Sequence, residues 1–276
     1  MAICWISSYP KSGNTWFRAF LTNYLQNCSA PASFNALLGR RWASQRRWID
    51  SVLGFDSSLL SFEEFDVLRP AVYAWEGQSA GIQYHKVHEY FRRTSEGKPL
   101  FAGPGIYGCI YIARNPLDVA VSYAHHTDTT IDNAIGVMKD PNHMIRMIAG
   151  KYSPHACQYI GTWSQNVETW TANSEIATHT VRYEDMSSKP WDTFKSVLTF
   201  LGIEVIEAKL ESAIRFSSFH EMQKQETAER YIDKPPGMRR FFREGRPGGW
   251  KKVLTDSQIR RVIESHASVM RSLSYI

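Results

Sequence analysis

A short apolar strand that runs through a polar turn directly into an amphipathic helix constrains the fold of this chain more than any other feature. The strand covers residues 3–8, the helix covers 14–26, and the turn between them contains Lys11, Ser12 and Gly13. Backbone amides at the start of a helix point outward and the helix dipole is positive there, so this arrangement can bind an oxyanion. Gly13 would let the backbone approach such a ligand closely, and Lys11 would supply a positive charge. The segment therefore predicts an α/β fold with an anion site where the first strand ends.

Further strand and helix patterns alternate along the rest of the chain. Strand-like runs of apolar and β-branched residues occupy 82–87, 109–113 and 178–182. Helix-like patterns occupy 61–68, 116–126, 157–173, 190–201 and 207–216, with a last helix after Thr255. Strands that alternate with helices predict a three-layer α/β/α architecture with a central parallel sheet. Because no repeat, low-complexity tract or polar linker interrupts the pattern, we expect a single domain over residues 1–276.

Composition narrows the class of protein further. Lys and Arg number 32 against 27 Asp and Glu, and the resulting net charge of +5 favours an anionic ligand. The four cysteines, Cys4, Cys28, Cys109 and Cys157, include no C-x-x-C pair, so neither a disulfide framework nor a zinc cluster is indicated. No apolar run approaches the roughly 18 residues that a membrane span requires. We therefore expect a soluble, cytoplasmic protein with reduced thiols, no metal site and no membrane span.

A second turn from a strand into a helix begins at Arg114. Asn115 is suited to cap the helix and Pro116 to occupy its first position, which places Arg114 beside the positive end of the helix dipole. Ser122 lies two turns further along the same helix. In a parallel sheet, ligands bind beyond the carboxyl ends of the strands. We therefore expect the turns of Lys11 and Arg114 to converge on one ligand that carries two phosphates.

Two common nucleotide-binding patterns are not supported. The spacing G-x-x-x-x-G-K-[ST] of nucleoside triphosphatases is absent, because Lys11 precedes Gly13 and no glycine lies at the required position upstream. Residues 103–108 match G-x-G-x-x-G, but they lead into the strand at 109–113, whereas a dinucleotide fingerprint follows a strand and opens a helix. We interpret residues 103–108 as a tight turn.

Three segments, taken in their order along the chain, resemble the sulfotransferases that use 3′-phosphoadenosine 5′-phosphosulfate (PAPS). They are residues 9–16, 114–122 and 245–250. The resemblance implies the P-loop-like α/β fold of that family. It also implies a donor site formed by Lys11, Ser12, Gly13, Asn14, Thr15, Trp16, Arg114, Ser122, Tyr183, Ser217, Phe219, Arg243 and Gly245.

By this resemblance, each part of the donor has its own group of residues. Residues 11–15 would bind the 5′-phosphosulfate, and Arg114 and Ser122 would bind the 3′-phosphate. Trp16 and Phe219 would enclose the adenine, with Tyr183 in contact with it. The family usually has Arg-Lys-Gly where this chain has Arg243-Glu244-Gly245, so only the arginine and the glycine are carried over.

Sulfuryl transfer requires a base for the attacking hydroxyl and a cation where the leaving phosphate gains negative charge. On pattern alone two histidines compete, and alternation along a strand puts His85 and His88 on opposite faces. The resemblance selects His88 as the general base, because it matches the last residue of the family's Lys-Thr-His. It also implies that Lys11 stabilises the leaving bisphosphate and that Lys86 assists at the sulfonate. Ser122 would hold Lys11 away from the donor until the acceptor binds.

The activity that the resemblance implies is transfer of the sulfuryl group of PAPS to an acceptor hydroxyl by in-line displacement. The alternative is a nucleotide kinase or NTPase-like protein, or a non-catalytic nucleotide-binding protein, on the same fold. Binding of Mg-ATP would favour a kinase. Bisphosphate binding without turnover, unaffected by His88→Ala, would favour a binding module.

The acceptor is predicted only by class. Residues 30–80 and 127–155 are expected to form the walls of its pocket, and their aromatic residues predict a small, apolar or aromatic acceptor. These residues are Trp42, Trp48, Phe55, Phe62, Phe65 and Trp75. The paired arginines at 40–41 and 46–47 are interpreted as a solvated face or an acceptor lid, so no nucleic-acid partner is expected.

Overall fold

The computed structural model describes residues 2–78, 81–145, 154–228, 231, 234, 238 and 240–276. Its strands and helices, in chain order, are β1 Ala2–Ser8, α1 Asn14–Leu25, α2 Arg46–Leu53, α3 Phe62–Glu76, β2 Ile82–Val87, β3 Ile106–Ala113, α4 Pro116–Thr127, α5 Ile131–Lys139, β4 Met144–Ile145, β5 Gln158–Tyr159, α6 Trp163–Thr171, β6 Thr178–Arg182, α7 Tyr183–Ser188, α8 Pro190–Phe200, α9 Glu207–Phe216, α10 Phe219–Ala228 and α11 Asp256–Ser272. No helix within these ranges is long and apolar enough to cross a membrane.

A parallel sheet of four strands in the order β2-β1-β3-β6 stands at the centre of the fold. In the register of β1 and β2, Trp5 lies opposite His85 and Ile6 lies opposite Lys86. β2 and β6 begin and end at the predicted residues, whereas β3 begins three residues before the predicted 109–113. The prediction of an α/β fold with a central parallel sheet is confirmed.

The turn predicted at residues 103–108 is shorter than expected, because β3 already begins at Ile106. Residues 103–105 lead into a strand and not into a helix, so they do not have the context of a dinucleotide fingerprint. The carbonyl oxygen of Gly105 accepts a hydrogen bond of 2.7 Å from the Ile3 amide at the start of β1. A Cβ atom on Gly77 would lie 2.2 Å from the same oxygen, so the end of α3 and this turn meet backbone to backbone. Gly77 and Gly105 have no side chains, which allows the end of α3 and the turn before β3 to lie this close together.

Helix α6 differs from its predicted extent, because it begins at Trp163 and not at residue 157. Thr162 caps it in a capping box with Gln165, and Gly161 just before has φ +64°, which ends any helix arriving from upstream. Residues 158–159 form β5 instead, paired antiparallel with β4. Local capping therefore outweighs the apolar pattern that suggested a longer helix.

The chain forms two compact units. The first comprises residues 1–9, 39–111 and 139–180, and the second comprises 10–38, 112–138 and 181–276. The single domain expected over the whole chain stays a prediction.

In the first unit, large aromatic side chains form the core around β1. The Trp5 ring meets the rings of Tyr73 and Phe101 edge to face, at 4.8 and 5.5 Å between centroids. Trp163 and Trp170 of α6 are also fully buried. Each such side chain contributes on the order of 2 kcal/mol or more through the area it removes from water.

In the second unit, α1 packs against α9, and the Phe20 ring of α1 stacks on Phe194 of α8 with 3.7 Å between centroids. A separate cluster lies at the start of α1, where Ala19 is buried with aromatic residues from distant parts of the chain. Its other buried members are Phe34, Leu37, Met222, Tyr231 and Phe242, and Trp16, Phe219 and Phe241 pack against them. This cluster places aromatic rings beside the predicted anion site.

Candidate active site

The turn between β1 and α1 adopts a backbone that few residues allow. Lys11 has φ +71° and Gly13, which precedes the first residue of α1, has φ +102°. A Cβ atom at Gly13 would lie 2.5 Å from the Tyr183 ring and 3.3 Å from the Met186 methyl group. Glycine is required there for its conformation and for its lack of a side chain. This geometry brings Tyr183, at the start of α7, directly against the turn.

Hydrogen-bonding groups at this turn are left for a ligand. The Ser12 hydroxyl is buried and has no hydrogen-bond partner among the residues that the structure describes, and the same holds for Nε of Arg114. Gly13, at the N-cap of α1, has no side chain to cap the helix, and the first helical residues Asn14 and Thr15 are buried. Buried polar groups in proteins are nearly always paired. These atoms therefore fit a ligand that carries several oxygen atoms, such as a phosphate group.

Lys11 and Arg114 lie side by side in the second unit. Nη1 of Arg114 donates a hydrogen bond of 3.0 Å to the Lys11 carbonyl oxygen, and the guanidinium lies 4.2 Å from the centroid of the Tyr183 ring. The sequence prediction joined these two residues through a common ligand. The structure joins them directly, since Arg114 holds the backbone of the turn that carries Lys11.

The ammonium group of Lys11 is held by contacts that the sequence did not predict. Nζ donates to Nδ1 of His126 at 3.3 Å and lies 4.2 Å from the centroid of the Phe241 ring. Burial, with the charge of Arg114 adding to it, lowers the Lys11 pKa to about 7, and Glu226 opposes this shift. A lysine in this state gains its proton readily when an anion arrives.

The start of α4 is built as the sequence predicted. The Asn115 side chain accepts from the Leu117 amide, and Pro116 occupies the first turn. The Asn115 amide itself donates to Glu184 at 3.0 Å, a carboxylate that also accepts from the Tyr275 hydroxyl. This network fixes the residue next to Arg114. Ser122, on the same helix, is half-buried.

The predicted adenine-binding residues are grouped in the second unit. The Trp16 and Tyr183 rings lie 5.2 Å apart, close to perpendicular. Phe219 opens α10, and a Cβ on Gly245 would lie 2.1 Å from its ring, so only glycine fits beside it. Ser217 is fully buried, and its hydroxyl donates to the Ala213 carbonyl at 2.8 Å.

The segment after residue 240 is held to α4 by a carboxylate that sequence reasoning missed. Asp118 is buried, and its two oxygens accept from the amides of Gly248 at 2.7 Å and Trp250 at 3.1 Å. Arg243 contacts His125 of α4 and forms an ion pair of 3.4 Å with Glu244. Glu244 thus binds the neighbouring arginine at the point where the family usually has a second cation. Asp118 is an acidic residue in the first turn of α4, which the sequence shows. The amides that it binds are distant in the chain and could not be predicted from the sequence.

The predicted base, His88, lies in the first unit just after β2. Its Nδ1 lies 2.8 Å from the Ser8 carbonyl oxygen and 3.3 Å from the Ser8 hydroxyl. Since a carbonyl oxygen only accepts, Nδ1 carries the proton and Nε2 is the ring's acceptor. A histidine in this tautomer can take a proton from a hydroxyl.

The backbone around His88 is rigidly held. Asn166 donates to the His88 carbonyl oxygen at 2.9 Å, and Trp170 donates to that of Glu89 at the same distance. The Glu89 carboxylate is buried and paired with Arg69 at 2.6 Å and Arg92 at 3.1 Å. Buried, fully paired groups of this kind fix geometry, which a base requires.

His85, the competing histidine, has a different environment. It is buried and stacked on the Trp48 ring at 4.5 Å between centroids. Burial, followed by the charge of Arg41, lowers its pKa to about 3, so it stays neutral at ordinary pH. His85 contacts Trp48, whereas His88 contacts Ser8, and these different neighbours agree with the opposite faces expected for the two histidines.

The aromatic residues expected around the acceptor fall into different groups. Trp42 lies near the predicted catalytic residues of the first unit, since Nζ of Lys86 is 3.6 Å from the centroid of its ring and the His88 ring is 5.7 Å away, edge to face. Trp48 and Phe65 are instead buried in the core. The remaining three, Phe55, Phe62 and Trp75, are exposed. Trp42 thus contacts two of the predicted catalytic residues.

The arrangement agrees with what the comparisons with known proteins show. A family model described as "Sulfotransferase domain" matches residues 3–273. The chain belongs to the sulfotransferase family. Sulfotransferases transfer a sulfuryl group from PAPS to an acceptor, so this chain is an enzyme of that kind and the kinase alternative is not favoured.

Several relatives of this sulfotransferase are similar over most of their length. Sulfotransferase 1A1 of Canis lupus familiaris is 31% identical over 281 residues, covering 96% of this chain and 82% of the relative. Sulfotransferase 1A1 of Bos taurus is 31% identical, with 95% and 80% covered. Flavonol 3-sulfotransferase of Flaveria bidentis is 24% identical, with 93% and 78% covered.

Solved structures share the fold. Mouse sulfotransferase SULT7A1 complexed with PAP has a TM-score of 0.58 at 20% identity, covering 98% of this chain and 84% of that one. Retinol dehydratase in complex with androsterone and inactive cofactor PAP has a TM-score of 0.63 at 15% identity, with 97% and 80% covered.

The described residues contain no cluster of three His, Cys, Asp or Glu side chains that could hold a metal ion.

The sequence reasoning named most of the turn, but it missed residues that come from distant segments. Besides His126 and Asp118 these include Tyr231, whose hydroxyl lies 3.3 Å from that of Thr15, and Glu226.

Proposed function

We propose that the turn at residues 11–15, together with Arg114 at the start of α4, holds PAPS, and that this sulfotransferase acts on the hydroxyl of a small molecule. The observation that carries the proposal is the adjacency of Lys11 and Arg114 beside buried polar atoms without partners. An unsatisfied buried donor costs on the order of 1–3 kcal/mol, which an anionic ligand with many oxygens offsets. PAP in the solved structures of two relatives supports a bisphosphate donor.

Each residue group has a role in this proposal. The Ser12 hydroxyl and the amides at the start of α1 would hold the 5′-phosphosulfate, and Arg114, with Ser122 and Arg243, would hold the 3′-phosphate. The aromatic residues Trp16, Tyr183 and Phe219, with Ser217 beside them, would enclose the adenine, and the Gly245 amide would join Arg243 at the phosphate. This set, with Gly13, Asn14 and Thr15, is the proposed donor site.

The chemistry follows from the protonation states of two residues. PAPS supplies a sulfuryl group that is already activated by its bond to phosphate. Nε2 of His88 would take the proton of the acceptor hydroxyl as this attacks in line, because Nδ1 is committed to Ser8. Lys11, once protonated, would stabilise the charge that develops on the leaving phosphate. Lys86 would assist at the sulfonate.

Small apolar or aromatic alcohols and phenols are the proposed acceptors. Trp42 presents a flat ring beside Lys86 and His88. The names of relatives point the same way, since one is a flavonol 3-sulfotransferase and another was solved with androsterone. We further propose a cytoplasmic location, on the ground that the four cysteines, all in the described part of the chain, form no disulfide.

Calorimetry tests the donor site. Adenosine 3′,5′-bisphosphate should bind at least about tenfold more tightly than adenosine 5′-monophosphate, because Arg114 adds a charge-assisted contact to the 3′-phosphate. In Arg114→Ala this preference should fall by at least about threefold, since Ser122 and Arg243 remain. The monophosphate is the matched control because it lacks only the 3′-phosphate. ATP with Mg²⁺ binding more tightly than the bisphosphate would overturn the donor assignment.

An assay with labelled PAPS tests the acceptor class. We expect turnover with phenols, flavonols and sterol-type alcohols. Rates with sulfated or carboxylated saccharides should be at least about tenfold lower, because a polyanionic acceptor gains little binding energy from contact with a flat apolar ring. Transfer of label measured by chromatography distinguishes the acceptors under equal donor concentration. Turnover restricted to polyanionic sugars would contradict this acceptor class.

A further inference from the structure

The ammonium group of Lys11 contacts two side chains, His126 and Phe241. It donates to Nδ1 of His126 and lies over the Phe241 ring, whose plane meets the His126 ring edge to face at 6.1 Å. A cation that is desolvated in this way gains from a nitrogen acceptor and an aromatic face, which replace part of its lost hydration. These two contacts therefore favour one position of the Lys11 side chain.

His126 lies on the same face of α4 as Ser122, one turn further along. Residues four apart in a helix are neighbours on its surface. The family resemblance gave Ser122 the task of restraining Lys11, and that role stays a prediction. In this chain the contact with Lys11 belongs to His126.

We propose that His126 is a positioning residue that holds the Lys11 ammonium in the donor-free enzyme and competes with the donor for it. This inference rests on the proposed donor site. The Nδ1 atom acts as the acceptor, and the Phe241 ring covers the other side of the cation. Donor binding must replace the His126 contact, so the contact weakens bisphosphate binding and restrains Lys11 from assisting bond cleavage without an acceptor.

The reaction that this contact suppresses is hydrolysis of PAPS. A water oxygen bonds to sulfur, the bond between sulfur and the bridging oxygen breaks with its electron pair remaining on the phosphate, and the water protons are released with sulfate. Lys11 would stabilise the departing phosphate in hydrolysis as in transfer. An enzyme that holds Lys11 elsewhere until the full complex forms loses less donor to water.

A pair of substitutions separates the acceptor atom from the shape of the side chain. His126→Phe keeps a ring but removes the nitrogen acceptor, whereas His126→Asn keeps an acceptor close to the position of Nδ1. We expect His126→Phe to bind adenosine 3′,5′-bisphosphate roughly three- to tenfold more tightly and to hydrolyse PAPS faster by a similar factor without acceptor, because a hydrogen bond to a charged group is released. His126→Asn should stay within about twofold of the parent protein on both measures.

The readouts distinguish positioning from a structural role, since lost structure lowers both binding and hydrolysis while the proposal predicts that both rise. If His126→Phe leaves them unchanged or lowers them in a folded protein, the proposal is wrong. Phe241→Leu, which removes the aromatic face, is the second variant should His126→Phe not fold, and an unchanged or weaker affinity there counts equally against it. If the parent protein does not bind the bisphosphate at all, the proposed donor site itself fails.

Discussion

His88→Asn is expected to lower sulfuryl transfer by about 10²- to 10⁴-fold while leaving affinity for adenosine 3′,5′-bisphosphate within about twofold. The Asn amide can still donate to the Ser8 carbonyl oxygen, as Nδ1 of the histidine does at 2.8 Å, so the local backbone contact survives. What disappears is the Nε2 acceptor that takes the hydroxyl proton. Steady-state rates with labelled PAPS and calorimetry of the bisphosphate provide the two measurements.

His85→Phe is the matched control for this substitution. His85 lies three residues earlier, is buried against Trp48 and has a pKa lowered to about 3, so a neutral aromatic ring replaces it without removing a functional charge. We expect activity within about threefold of the parent protein, since phenylalanine keeps a flat aromatic ring against Trp48. If the His85 variant loses activity and the His88 variant retains it, the assignment of the base is wrong.

Lys11→Met should reduce turnover by about 10²- to 10³-fold, because the cation that stabilises the leaving phosphate is removed. Methionine keeps the length of the apolar stem and removes the ammonium group, which is the part of Lys11 that lies over the Phe241 ring. The same substitution should change how donor binding depends on pH. In the parent protein the Lys11 pKa is about 7 without ligand, because burial and the charge of Arg114 disfavour the ammonium form.

The sign of this pH dependence follows from linkage. An anionic donor favours protonated Lys11 and raises its pKa. Below pH 7 Lys11 is protonated in both the free and the bound protein, so its contribution to bisphosphate affinity is complete and does not vary with pH. Above pH 7 the affinity falls as pH rises, because the free protein must first take up a proton at Lys11. At pH 8 binding should take up close to one proton more in the parent protein than in Lys11→Met. Calorimetry in two buffers of different ionisation enthalpy measures the proton uptake of each protein. Protons bound by the ligand's own phosphates are the same for both proteins, so they cancel in the difference. Equal proton uptake by both proteins would show that Lys11 is not the group that titrates.

Local sequence patterns predicted the elements that carry the site. The bounds of β2 and β6 were correct, and the cap at Asn115 with Pro116 located the start of α4. These features depend on side chains within a few residues of one another, which is why one-dimensional reading succeeds there. The long helix predicted at 157–173 was wrong because the Thr162 capping box acts more strongly than the apolar pattern.

Partners that come from distant segments could not be predicted. His126 lies 115 positions from Lys11, and Asp118 lies 130 and 132 positions from the amides that it holds. The role given to Ser122 stays a prediction, and the contact of His126 with Lys11 was not predicted. Nothing in local periodicity specifies which side chain of a helix face reaches a given cation, because that depends on how separate elements pack.

The sequence by itself determined the α/β fold and the residue types at the two turns, since both are encoded in short-range patterns of apolar spacing, capping and glycine. The tertiary structure alone decided the chemical state of those residues. Burial beside Arg114 lowers the Lys11 pKa, the Ser8 carbonyl fixes the His88 tautomer, and His126 holds the ammonium. These properties depend on desolvation and on neighbours from other elements, which exist only once the chain has folded.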